Sequence, residues 1–120
     1  MTVKKQTEEK PLEYLTFDYN GTTYTMEFNR RSVEVLEKNF GMSVSKALNG
    51  DINMSDLPNV FRCSLLMHHP RMKQQTVDML YDQMGNKTDL MSALLELVAV
   101  AANSLFEEPE EGKAISWTRH

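Results

Sequence analysis

The chain has 120 residues, the size of one ordinary domain, and 41% of them are hydrophobic and 25% charged. Thirteen basic and 17 acidic side chains give a net charge of −4, which disfavours a dedicated nucleic-acid binder. The single cysteine excludes an intramolecular disulfide framework and is typical of a reducing cytoplasm. No apolar run reaches the roughly 20 residues that cross a bilayer, and the N-terminal segment lacks the apolar core of a signal peptide. We therefore expect a soluble cytoplasmic domain with neither a membrane nor a nucleic acid as its partner.

A β-hairpin is predicted over residues 12–28, after a polar arm over residues 1–11. Its two strand-like runs flank Asn20-Gly21, the preferred pair for a two-residue type I′ turn. This turn pairs Tyr19 with Thr22 and fixes the register of the remaining pairs. The register places six side chains on one apolar face: Leu15, Phe17, Tyr19, Tyr24, Met26 and Phe28. Because an isolated hairpin is marginal in water, this face is expected to pack on helices.

Five helical segments are predicted after the hairpin, at about 30–40, 43–48, 56–69, 71–84 and 89–106. Asn29 is the expected N-cap and Gly41 the expected C-cap of the first helix. Ser55 or Asp56 is the expected cap of the third helix, and Thr88 or Asp89 that of the last. The last helix is apolar nearly all round, which is typical of the buried centre of a bundle. The predicted fold class is mainly α, with an N-terminal β-hairpin packed on four to five helices. A single globular domain spans residues 12–106, and an acidic tail spans residues 107–120.

Cys63, His68 and His69 form the one cluster that resembles metal ligands or a thiol active site. Adjacent histidines on a helix point about 100° apart, and the cysteine is out of register with both of them. Structural zinc requires four ligands at tight spacing, and the sequence contains no CxxC, HxxxH or HExxH motif. We therefore predict no metal, no cofactor and no catalytic residue, and expect that the protein is not an enzyme.

The nine methionines are more than chance predicts, and methionine suits both core gaps and adaptable binding surfaces. The residues predicted to bind a partner are Met72, Met79, Met84, Ile115 and Trp117. The last two alternate like strand residues beyond the acidic run of the tail. We expect them to dock on the chain's own hairpin as an added strand, and the alternative is a free recognition peptide.

Three stretches together resemble the short tail assembly chaperones of long-tailed, siphovirus-type bacteriophages and prophages of Gram-positive bacteria. The stretches are the hairpin TFDYNGTTYTMEFNRRSVEVLE, the segment HHPRMKQQTVDMLYDQM and the ending SLFEEPEEGKAISW. The similarity runs over roughly residues 12–117.

This resemblance implies a mostly helical protein made in the host cell cytoplasm and absent from the mature virion. Such chaperones keep the tape measure protein soluble and recruit tail tube subunits during tail morphogenesis. Many are also made in a longer form by ribosomal frameshifting. The expected partners are therefore the tape measure protein, the tail tube protein, this longer form and further copies of the same chain. Two alternatives stay open: a small prophage regulator that binds DNA or protein through segments 57–69 and 71–84, and a metal-binding or thiol enzyme that uses Cys63, His68 and His69.

Overall fold

The computed structural model describes residues 12–110 and 112–120, so the predicted arm lies outside the described residues. Within them a two-stranded antiparallel sheet precedes five α-helices, which confirms the predicted fold class. The elements are β1 (Leu15–Tyr19), β2 (Thr22–Met26), α1 (Arg30–Phe40), α2 (Val44–Leu48), α3 (Leu57–Leu65), α4 (Gln74–Gln83) and α5 (Lys87–Asn103), with 3₁₀ turns at Met54–Asp56 and Ser104–Phe106. None of the helices in these ranges combines the length and the apolar character that a membrane span requires.

The turn of the hairpin sets its register as predicted. Asn20 and Gly21 have φ values of 51° and 80°, the left-handed backbone that a type I′ turn requires. The predicted pairs all form: Leu15 with Met26, Phe17 with Tyr24, and Tyr19 with Thr22. The apolar face is covered unevenly, because its last members, Met26 and Phe28, are buried while its β1 members are only half-buried.

The ends of α1 also agree with the prediction. The Asn29 side chain accepts a hydrogen bond from the Ser32 backbone N–H, and the Ser32 hydroxyl accepts one from the Asn29 N–H, which completes a capping box. Gly41 ends the helix with φ 67°, a left-handed conformation that glycine adopts without strain.

Several other helix ends differ from the predicted bounds. The third helix, predicted over 56–69, stops at Leu65, where the Leu66 N–H bonds to the Cys63 carbonyl and tightens the turn. The fourth, predicted over 71–84, begins at Gln74, because Lys73 is extended and gives no side-chain cap. The last, predicted over 89–106, runs over Lys87–Asn103 after the left-handed residue Asn86. Thr88 and Asp89 therefore lie inside its first turn and do not cap it, and Asp56 makes no capping bond either.

The centre of the molecule is α3, whereas the sequence pointed to α5. Six of the nine residues of α3 are buried, and Val60 and Phe61 are fully enclosed. The hairpin, α1, α4 and α5 all contact this helix. One face of α5 is exposed despite its apolar composition, with Val100 39% exposed. An all-round apolar helix can thus lie at the side of a small bundle when a shorter helix has more elements around it.

The hairpin is fixed to α3 and to the loop after it by contacts along β2. The Thr25 N–H donates to His69 Nε2 at 3.0 Å, and the Glu27 N–H donates to the Ser64 carbonyl at 2.8 Å. Below these bonds the Phe17 ring packs against Phe61, with ring centroids 6.0 Å apart. The outer edge of β2 is therefore occupied by groups from the helical part of the chain.

Candidate partner-binding surfaces

The three methionines predicted to bind a partner offer little exposed surface. Met72 and Met84 are half-buried and pack against the core, and only Met79, on α4, is an exposed large apolar residue at 38%. These side chains stabilise the fold as much as they offer a surface to a partner.

The C-terminal tail does not dock on the hairpin of its own chain, so that expectation was wrong. Ile115 and Trp117 are 91% and 78% exposed, and the sheet among the described residues has two strands only. The outer edge of β2 is closed to the tail, because the outward N–H groups of Thr25 and Glu27 are already bonded, whereas the outer edge of β1 is unpaired among the described residues.

A better-formed surface lies between α1 and the end of α3. Two adjoining openings of about 380 and 80 Å³ share Arg31, Val35 and Leu66 in their walls. We call this surface the arginine groove and define it by six side chains: Arg31, Val35, Phe40, Arg62, Leu66 and Met67. Four of these six side chains are apolar, and Met67 is 43% exposed.

The arginine groove is basic, whereas the whole chain has a negative net charge. Among the described residues that line the two openings, none is acidic, although the net charge of the chain is −4. Within those residues neither Arg31 nor Arg62 forms an ion pair. The Arg62 guanidinium lies over the Phe40 ring, 5.6 Å from its centroid, which holds this charge at the groove wall. Apolar side chains together with two arginines that have no carboxylate partner suit a helix or peptide that carries apolar and acidic side chains.

Sequence reasoning missed this groove, although a signal was present. Arg31 precedes Val35 by four residues on α1, and Arg62 precedes Leu66 by four at the end of α3. Such spacing places a cation beside an aliphatic side chain on one helical face. Only the fold shows that the two pairs face each other.

Cys63, His68 and His69 have separate surroundings. The Cys63 thiol is fully buried, and desolvation raises its pKa to about 12, so it stays protonated at neutral pH. His69 accepts the Thr25 N–H, and His68 Nε2 lies 2.7 Å from Glu27 Oε1. Within residues 12–110 and 112–120 no three histidine, cysteine, aspartate or glutamate side chains come together as metal ligands.

The regulator alternative also loses support from the structure. A helix-turn-helix joins its two helices by a turn of about 3–4 residues. Here residues 66–73 separate α3 from α4, and α3 itself is the buried centre of the molecule. Because the second helix of such a motif enters the DNA groove, the departure from the motif lies in the eight residues that separate α3 from α4 and not in the burial of α3.

Comparison with known proteins gives one family match. A family described as "Domain of unknown function (DUF5055)" matches residues 5–120. No curated protein and no solved structure matches the chain.

Proposed function

We propose that this chain, which belongs to the DUF5055 family, is a phage tail assembly chaperone that binds helical segments of the tape measure protein. The observation that carries the proposal is the arginine groove, where four apolar side chains accompany two arginines that have no carboxylate partner among the described residues. The three stretches quoted from the sequence, which resemble such chaperones, support the same function.

The groove suits a partner that is apolar on one face and acidic at its margins. Apolar side chains at positions i, i+3, i+4 and i+7 of a helix would cover Val35, Phe40 and Leu66. Acidic side chains beside them would pair with Arg31 and Arg62, where a hydrogen bond between charged groups contributes about 1.5–3 kcal/mol. A long helical protein whose apolar stripes await their final neighbours aggregates in water, and covering the stripes prevents this.

The other parts of the proposal come from the resemblance. The protein would act in the host cell cytoplasm, recruit tail tube subunits to the covered tape measure protein and be absent from the mature virion. A longer form would arise where the codons for residues 111–113 read GAG-GGA-AAR, a pair of base runs on which ribosomes slip. The gene sequence tests this point, because any other codons without an open frame beyond them exclude a frameshift here.

Co-expression with the tape measure protein of the same phage tests the function. We expect the tape measure protein to move from the insoluble to the soluble fraction and to be retained on the tagged chaperone. Equal insolubility with and without the chaperone would refute the proposed function.

Matched variants test the surface separately. Arg31→Glu should weaken retention about tenfold, or roughly 1.4 kcal/mol, because it sets a carboxylate against the acidic margin of the partner. Arg71→Glu is the control, since Arg71 is exposed, lines neither opening and changes the net charge equally. The same comparison for the apolar side chains of the groove uses Met67→Ser, with Met54→Ser as the control, because both methionines are exposed. Equal effects within each pair, with a functional wild type, would place the binding surface elsewhere.

A further inference from the structure

In the part of the chain that the structure describes, the outer edge of β1 is an open strand edge. In a hairpin closed by a two-residue turn, residues 15, 17 and 19 direct their backbone groups at β2, so residues 16 and 18 direct theirs outward. The sheet among the described residues ends at β1, whereas the corresponding edge of β2 is bonded to Ser64 and His69. Only one of the two edges is therefore available to a further strand.

Side-chain burial shows the same asymmetry. Met26 and Phe28, at the end of the hairpin's apolar face, are 3% and 6% exposed. The β1 members of that face, Leu15, Phe17 and Tyr19, are only half-buried. A strand beside β1 would cover the flank that the helices leave open.

The C-terminal tail has the properties of a strand that could lie beside β1. A turn closes where the Lys113 N–H bonds to the Glu110 carbonyl at 3.0 Å, with Gly112 at φ 87°. Beyond it, residues 114–120 form neither helix nor strand and are exposed. Ile115 and Trp117 alternate with Ser116 as in a strand with one apolar face.

We propose that residues 113–119 of one copy add to β1 of a second copy as an antiparallel third strand, with Ser116 opposite Thr16. In this register Ile115 lies opposite Phe17 and Trp117 opposite Leu15, on the apolar face of the hairpin. Arg119 then lies opposite Glu13, which gives a pair of opposite charges. A shift of two residues in either direction removes the Glu13–Arg119 pair, and one of these shifts also sets Trp117 opposite Glu13.

Charge favours this pairing over the other self-associations. Two β1 strands side by side would set no basic residue against Glu13 or Asp18, and two tails centred on Ser116 would bring together Lys113 and Arg119. Tail against β1 sets Arg119 against Glu13. Within residues 12–110 and 112–120 nothing covers either the edge or the tail, so a second copy can supply the complement of each. Two reciprocal contacts close a dimer, and the second contact benefits from the effective concentration that the first creates.

Disulfide trapping between separate chains tests the proposal. Thr16→Cys is placed on one chain and Ser116→Cys on another, and the two are mixed under mild oxidation. Opposed residues of a bonded pair have Cα atoms about 5.5 Å apart, which is within disulfide range. The native Cys63 is fully buried and stays protonated, so it does not compete. We expect a covalent heterodimer.

Two controls use exposed threonines. Thr23→Cys replaces Thr16→Cys to test the edge, since Thr23 lies on β2. Thr118→Cys replaces Ser116→Cys to test the register, since it shifts the tail by two residues. We expect both controls to link at least fivefold more slowly.

A chain carrying both Thr16→Cys and Ser116→Cys distinguishes the two sources of the tail. Linked dimers support the proposal, and a linked monomer would overturn it by showing that the tail closes on its own edge. Absence of any link, or equal linking in the controls, would also overturn it.

Discussion

The bond between the Thr25 N–H and His69 Nε2 allows a quantitative test of how the hairpin is fixed. His69→Ala removes an acceptor at 3.0 Å and a ring whose centroid lies 5.3 Å from that of Tyr24. The hydrogen bond contributes about 0.5–1.5 kcal/mol and the ring contact about 0.5 kcal/mol. Thr25 is half-buried, so water can reach the freed N–H and keeps the cost low. We expect the free energy of unfolding to fall by about 1–2 kcal/mol and Tm by roughly 4–8 °C.

The same bond predicts the direction of a pH effect, because only an unprotonated Nε2 can accept it. Burial lowers the pKa of His69 below its ordinary 6.5, and the neighbouring His68 lowers it further. The unfolded chain keeps the ordinary pKa, so below about pH 6.5 it binds a proton that the folded chain excludes. This group therefore lowers the free energy of unfolding as pH falls from about 6.5 to the folded pKa, and has no effect above that window.

His69→Gln isolates this effect, since an amide oxygen can accept the Thr25 N–H and does not titrate. Chemical unfolding between pH 5 and 8 should show that the free energy of unfolding falls less at low pH for His69→Gln than for the wild type. His68 faces Glu27 and His69, so both proteins are compared in a His68→Gln background. Amide exchange at Thr25 should be fast in His69→Ala and slow in His69→Gln. Identical pH profiles, or a Thr25 amide equally protected in all variants, would refute the role given to this bond.

Three further predictions concern the turn, the thiol and the tail. Gly21→Val should lower the free energy of unfolding by about 1–3 kcal/mol, because a β-branched residue resists φ 80°. Gly85→Val is the control and should lower it clearly less, since a Cβ at either glycine meets no atom within 4 Å. Equal shifts in Tm would contradict the turn assignment. Cys63 should react with a thiol reagent only as fast as the chain unfolds, and rapid labelling of the folded protein would contradict its burial. Deleting residues 107–120 should leave the helical circular dichroism signal nearly unchanged, because the exposed 3.9 Å ion pair between Arg30 and Glu107 contributes less than about 1 kcal/mol; a large loss of signal would show that the tail supports the core.

The local parts of the fold could be predicted from the sequence. Asn20-Gly21 determines the type of turn, and the turn determines every pair of the hairpin. Asn29 and Gly41 mark the ends of α1 because capping depends on neighbours within three or four residues. These features need no knowledge of distant contacts.

The features that could not be predicted from the sequence depend on tertiary contacts. The enclosure of α3 follows from the elements that gather around it, and its own sequence, with Asn59, Arg62 and Ser64, gives little sign of this. The arginine groove requires α1 and the end of α3 to meet. The occupied edge of β2 depends on a bond from Thr25 to His69, a contact across 44 residues that periodicity cannot show.

The occupied edge of β2 also limits how far the hairpin can aggregate. A fibril grows by adding strands at both sides of a sheet, so each unit must keep two bonding edges free. Here a histidine ring and a carbonyl group at the end of α3 cover one side. Two hairpins that met through β1 would form a four-stranded sheet with both of its ends blocked, and growth would stop at two copies. The hairpin thus carries its own barrier to forming amyloid.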